Sequence, residues 1–471
     1  MSENKQAIAL LWRLILGLLV VGGLSGVSLI LLPKQASCLS AYGTSSNSAR
    51  RSLGEEMLVS EETSEDKRAG VEAFAQCDFQ TAAAKLEASL VDNRNDPEAL
   101  IYLQNAKAAA SGETLKIVAS VPIGSQLDVA QEMLRGVAQA QQEVNRQGGM
   151  NGKQLLVEIA NDDNDIKIVE KLAAEFVADT KILAVVGHNS SNASLAGAPI
   201  YEGEGLVMVS PTSGSTALSD YQNYVFRTIP SVPVYAEALA NRVNNTRYND
   251  EYLNKIAICA DSQDSYSKSF KEQFVAAIAN REVNVTYKEC DLADPDFNAR
   301  DIYQAIAEEA DGLLLSASYK NLSNAISIIE ANKKRLPLFA TRNMYVNETI
   351  QEAGEDVEGM LLAVPWHRDA DTGNFFTEAF ELWNARVNWR TAMAYDATGA
   401  IIKGLKNGDS RKDLQGELSN PGFSLQGATG TVRFSQEGDR LVENGQQDVK
   451  LVTIRQNSEP EGGDEFVLLL Q

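Results

Sequence analysis

From Thr114 onward, short apolar runs alternate with longer segments of helical period. That alternation constrains the fold more than any other feature of the chain. LKIVASV (115–121), LLVEIA (155–160), ILAVV (182–186) and LVMVS (206–210) read as strands. Between the first two, apolar residues at 130, 133, 134, 137 and 144 mark one helical face. After the caps offered by Asp162 to Asp165, a second face carries Val169, Leu172, Ala173, Phe176 and Val177. A third helix is expected from about Ser191. Near-continuous apolar strands joined by helices build a parallel sheet with both faces covered.

The pattern restarts after Arg227. KIAICA (255–260), VNVTYKE (283–289) and GLLLSAS (312–318) read as strands, with helices marked by Phe270, Phe274 and Ile278 and by Ile302, Tyr303 and Ile306. A third section runs from GMLLAVPW (359–366) through helices at about 374–387 and 391–406. It ends in the strands TGTVRF (429–434) and VKLVTI (449–454). Two α/β lobes that each bury their own helices leave a cleft between them. Parallel sheets bind ligands at the carboxyl ends of their strands, where helix N-termini point.

Composition narrows the function. The formal net charge of −22 lacks the basic footprint of a nucleic-acid binder. The four cysteines, Cys38, Cys77, Cys259 and Cys290, have no CxxC spacing for zinc. The only histidines are His188 and His367, and no dinucleotide or phosphate-loop motif occurs. Neither a nucleophile with a nearby base nor a metal site can be found, so no enzyme, cofactor or metal is expected. His188 reads as a hydrogen-bonding group of a turn or hinge, and Cys77 as a packing residue. Cys259 and Cys290 end neighbouring strands. An oxidising compartment permits a bridge there if the Cα atoms come within about 7 Å.

The N-terminal part has a different character. Leu14 to Leu32 is nineteen residues without a charge, with Lys5 and Arg13 before it. As a helix it spans roughly 28 Å, close to the ~30 Å of a bilayer core. The expected reading is an uncleaved anchor at 1–34, with a cytoplasmic tip and the bulk of the chain in the periplasm or extracytoplasmic space. A cleaved signal peptide is the rival. Residues 35–62 read as a flexible or weakly helical linker. Residues 63–111 then fit helix, turn, helix, turn, helix, with Asp96 capping a helix that begins at Pro97. Gly70, Phe79, Ala82 and Leu86 give this stretch a resemblance to a tetratricopeptide repeat. One repeat with a third helix is short of the three or more that such solenoids need. A three-helix spacer packed on its neighbour is therefore favoured over a groove for a protein partner.

Two strand-to-helix turns carry the expected chemistry. In VVGHNSSNAS (185–194) the strand opens into Ser190 and Ser191 at a helix start. In VSPTSGSTALS (209–219) a second turn offers Ser213 and Ser215 before a helix near Ala217. Free N–H groups at a helix start, with small hydroxyls beside them, suit a carboxylate. Ordinary capping explains one such turn, but two on neighbouring strand ends favour binding.

IVASVPIGSQ (117–126), GVAQAQQEVNRQGGMNGKQLLVEIANDDND (136–165), VVGHNSSNASLAGAPIYEGEGLVMVSPTSG (185–214) and FRTIP (226–230) together resemble type I extracytoplasmic solute-binding proteins. The similarity is to the leucine/isoleucine/valine-binding proteins of ABC transporters. It implies two Rossmann-like lobes over 114–455, joined by crossovers near 227–231, 362–366 and 429–434. Lobe one would hold about 114–230 and 363–430, lobe two about 231–362 and 431–455, with a tail at 456–471. It implies a small amino acid or related amide bound between the lobes and delivered to a permease, or, alternatively, sensed for another protein.

By position, the ligand carboxylate would meet Ser190 and Ser191 with Ser213 and Ser215. The hydroxyl usual in the second turn falls on Gly214. Tyr266 would cover the ligand. Asn343 falls near the position of the carboxylate that commonly holds the ligand ammonium, so Asp261 or Asp264 takes over, or the ligand is not a plain α-amino acid. Arg342 beside it admits an acidic ligand. Tyr319 either points into the cleft or packs. Trp389, Arg390, Tyr395 and Asp396 are expected to fix the hinge side of lobe one. The positions that some relatives bridge by a disulfide are Asn164 and Ser190 here.

Overall fold

The computed structural model describes residues 42, 49–60, 63–221, 223–279, 281–286, 289–442, 449–455 and 465–469. Among them no helix is long and apolar enough to cross a membrane. The anchor expected at Leu14–Leu32 lies outside the described residues.

Lobe one is a six-stranded sheet in the order 51–52, 154–161, 114–121, 182–186, 207–210, 225–227. All neighbours are parallel except the first pair. Every residue of Ile182–Val186 is buried, as a strand covered on both faces must be. Helices Leu127–Arg146 and Trp389–Leu405 cover one face. They approach so closely that a Cβ on Gly136 would lie 2.2 Å from the carbonyl oxygen of Thr391. Helices Ile166–Ala178 and Ser191–Glu204 cover the other, packing Phe176 and Tyr201 against the sheet.

Lobe two is an eight-stranded sheet ordered 284–285, 255–260, 312–316, 338–340, 361–364, 450–455, 465–468, with 290–291 also paired to 255–260. The last two strands run antiparallel. Cys259 and Cys290 are register partners and form a disulfide with Cα atoms 4.5 Å apart.

Three boundaries differ from expectation. Residues 49–60 are not a free linker: Arg51–Ser52 pairs with Ile159 and Ala160 at the sheet edge, and Leu53 is buried. The 456–471 stretch is not all tail, since Glu465–Leu468 returns as a strand and Phe466 stacks 3.9 Å from Tyr345. Gly430–Val432 is not a crossover strand but half of a hairpin with Leu425–Gly427, and the chain crosses later. Of the strand expected over 283–289, Asn284–Val285 pair with Lys255 and Ile256, and residues 287–288 lie outside the described residues. Cys77, expected only to pack, is disulfide-bonded.

Helices stand at Glu65–Ala75, Phe79–Asp92 and Pro97–Ser111. Asp96 caps the third, accepting from the N–H of Ala99 at 2.9 Å. That helix is buried along most of its length against lobe one. Asn105 projects from it to the rim of the sheet. It donates to the carbonyls of Val157 and Leu53 at 2.7 and 2.8 Å, and accepts from the N–H of Val157 and from Gln141 Nε2 at 3.0 and 2.8 Å. Glu98 receives the N–H groups of Leu58 and Val59 and the ammonium of Lys67. Residues 49–60 are thereby strapped across the helices and onto the sheet.

Candidate functional site

The strand ends of both lobes face a cavity of about 830 Å³. Lobe one contributes Asn189, Ser190, Ser191, Asn192 and Thr212. Lobe two contributes Asp261, Gln263, Asp264, Tyr266, Ser318, Tyr319 and Asn343. Trp389 and Arg390 form the hinge wall.

On lobe one, Ser190 caps the helix Ser191–Glu204 by accepting from the N–H of Ala193 at 3.1 Å. Its own N–H donates to Asn164 Oδ1 at 3.0 Å, so a hydrogen bond joins the two positions that some relatives bridge covalently. The first-turn N–H groups of Ser191 and Asn192 have no intrahelical acceptor. Ser191 Oγ accepts from the N–H of Ser215 at 3.2 Å and retains a proton to donate.

The second turn behaves differently. The hydroxyls of Ser210 and Ser213 reach the carbonyl of His188 at 2.9 and 3.1 Å. Ser194 Oγ lies 2.8 Å from Ser213 Oγ. Ser215 Oγ turns to Ser269 Oγ of lobe two at 3.1 Å. Both Ser213 and Ser215 are fully buried and neither lines the cavity. The chain continues from Ser215 as a five-residue 3₁₀ turn, Thr216–Asp220, not an α-helix, and it presents no developed dipole. His188 fastens the two turns. Its ring sits between Asp162 Oδ2 at 2.6 Å and the Tyr201 hydroxyl at 2.9 Å, with all three side chains buried.

On lobe two, Asp261 is already committed. It accepts from the N–H of Gln263 at 2.8 Å, from Asn321 Nδ2 at 2.8 Å and from the Ser318 hydroxyl. Asp264 is not. Its Oδ1 caps the helix Ser265–Ile278 at the N–H of Ser267, 2.8 Å away, and no cationic side chain pairs with it within 4.0 Å among the described residues. Burial pushes the Asp264 carboxyl up, against the hydrogen bonds from Ser267. A ligand cation would favour the charged form further. Asn343 spends its amide N–H on the carbonyl of Ala317 at 3.1 Å. Tyr319 faces the cavity and donates to Glu348 at 2.7 Å. Burial of Tyr266 pushes its phenol up to about 12 and keeps it protonated.

Trp389 and Arg390, expected at the hinge side of lobe one, both line the cavity. Arg342 lies behind the Tyr266 ring, its Nη1 2.7 Å from the phenol oxygen. Among the described residues no cluster of His, Cys, Asp and Glu could hold a metal ion.

Residues 114–459 match the family described as periplasmic binding protein. The chain belongs to that family. This periplasmic binding protein is 25% identical over 342 residues to the leucine-, isoleucine-, valine-, threonine- and alanine-binding protein of Pseudomonas aeruginosa, across 71% of this chain and 89% of the relative. It is 22% identical to the Leu/Ile/Val-binding protein of Escherichia coli, across 70% and 89%. A leucine-binding protein of Thermotoga maritima superposes with a TM-score of 0.64 at 18% identity, covering 75% of this chain and 98% of that one. A branched-chain amino acid substrate-binding protein of Streptococcus pneumoniae, in complex with isoleucine, gives 0.64 at 18%, covering 76% and 100%. These likenesses establish the type I fold with its two α/β lobes.

Proposed function

We propose that the protein binds a small amino acid or related amide in the interlobe cleft, performs no chemistry on it, and presents it to an ABC-type permease. The observation that carries this is the pairing of opposite dipolar ends across one cavity. The open helix start at Ser190 and Ser191 faces a ligand carboxylate, and the carboxylate of Asp264, which no cationic side chain pairs, faces an ammonium. Tyr266 supplies an apolar lid. The curated relatives support the ligand class by what they bind.

Titration of the full chain with single L-amino acids, read by melting temperature, tests the proposal. At least one should raise it by mass action. Asp264→Asn should weaken that ligand by about 10- to 100-fold, the value of a charged hydrogen bond. No stabilising amino acid, or unchanged affinity in Asp264→Asn, would overturn it.

We also propose that Leu14–Leu32 anchors the chain in the inner membrane, supported by its nineteen uncharged residues. Release of the protein by alkaline carbonate washing would count against that.

A further inference from the structure

Six arginines are buried among the described residues. Four have a carboxylate within 4.0 Å: Arg51 pairs with Glu158, Arg135 with Glu132, Arg227 with Asp439 and Arg440 with Asp396. Among the described residues the other two, Arg342 and Arg390, have none; Arg390 lines the cleft, and Arg342 lies behind Tyr266, which also lines it.

Arg342 is 1% exposed. Its Nη1 and Nη2 donate to the Tyr266 hydroxyl at 2.7 Å and the Thr212 carbonyl at 3.1 Å, while Nε has no acceptor. The rings of Tyr266, Tyr235 and Trp389 lie 4.2, 4.7 and 5.9 Å from its guanidinium carbon. Arg390 is 5% exposed and lines the cavity. Its Nη1 donates to the Tyr345 carbonyl at 2.8 Å, and its Nε is likewise orphaned. The nearby Glu132 is committed to Arg135, the N–H of Asn388 and Thr391.

Aromatic faces and carbonyls soften an isolated buried cation but do not neutralise it. Burial drags Arg390 down to about 10, against the opposing pull of Glu132. A Cβ on Gly214 would lie 2.4 Å from Arg342 Nη2, so the guanidinium occupies the space a side chain there would take.

We infer that the cleft takes an acidic ligand, one whose second anionic group lies against Arg390, in the field of Arg342. The planar guanidinium matches a carboxylate in shape and charge. This narrows the amino-acid reading above and rests on it.

Calorimetric titration of the full chain at pH 7 with L-glutamate, L-aspartate, succinate and L-leucine tests it. An acidic amino acid should bind at least tenfold more tightly than leucine. Arg390→Gln should shrink that preference at least tenfold, and Arg390→Lys, which keeps charge and loses the fork, should fall between. Leucine binding as tightly as glutamate and aspartate overturns the inference and leaves the amino-acid reading standing. Succinate matching aspartate upholds the second-anion subsite and removes the ammonium from the earlier reading. No heat from any of the four overturns the inference. The wild-type preference decides the matter even if neither variant folds.

Discussion

His367 holds the last strand of lobe two to the chain that leaves it. Its Nε2 lies 3.1 Å from the Phe466 carbonyl, and Nδ1 accepts from the N–H of Asp369 at 3.3 Å. One nitrogen donates and the other accepts, so the ring fits there neutral. Burial lowers its pKa, against the opposing pull of the Phe466 carbonyl and Asp369. The unfolded chain takes up this proton near pH 6.5 and the folded chain only at lower pH. The contribution is therefore full above pH 6.5 and is lost as pH falls below it. Asp396, pushed up to about 6 by burial, acts oppositely, losing stability as pH rises from about 4 to 6. The useful quantity is thus a difference. The melting temperature of His367→Gln minus that of wild type should rise as pH drops from 7 to 5. A constant difference would show that the ring does not titrate as its surroundings require. Legibility at this scale follows what a side chain touches. Ser190 and Ser191 were readable because helix capping is local. Ser213 and Ser215 misled because their hydroxyls are drawn to the His188 carbonyl and to Ser269, contacts that only the folded lobes create.

The elements were legible where their period is long and their caps are short-range. The helices Leu127–Arg146 and Ile166–Ala178 fall where the apolar spacing puts them. The Arg51–Ser52 strand did not show, because two residues carry no period, and what fixes them is the buried pairing of Arg51 with Glu158. Trp389 and Arg390, expected at the hinge side of lobe one, form the hinge wall and also line the cavity, at the start of a helix whose body packs on Leu127–Arg146. Docking of the helical unit rests on Asn105, whose amide uses all its capacity at the sheet rim. Asn105→Ala would orphan both polar groups of Val157 and the Leu53 carbonyl. Unsatisfied buried groups cost about 1–3 kcal/mol each. Urea unfolding of the full chain should show a loss of at least ~2 kcal/mol, and a loss below half of that would mean water replaces the amide.

Across the whole molecule the lobes touch through a few polar contacts at the cleft. Asn192 accepts from the N–H of Ser265 at 3.0 Å and donates to the Gln263 carbonyl at 3.1 Å. Ser269 meets Ser215 and Thr216 at 3.1 and 3.3 Å. Asn347 donates to Asp128 at 3.2 Å. These contacts exist only while the lobes are together, so they bias closure without touching the ligand. Removing one neutral hydrogen bond shifts such a balance by about 0.5–1.5 kcal/mol. Ser269→Ala should weaken ligand affinity roughly 2- to 10-fold, with a larger radius of gyration for the unliganded chain in X-ray scattering. An unchanged radius with unchanged affinity would mean that closure does not depend on this contact.

The strap of residues 49–60 has a mechanical consequence. It rivets the start of the described chain to the rim of lobe one and to nothing in lobe two. A tether pulling from upstream of Arg50 therefore grips one jaw only. For a chain so tethered, closure of the mouth would leave that jaw as the stationary frame and give the other the travel. Anything docked across the mouth would then sense ligand as a one-sided displacement with a fixed bearing.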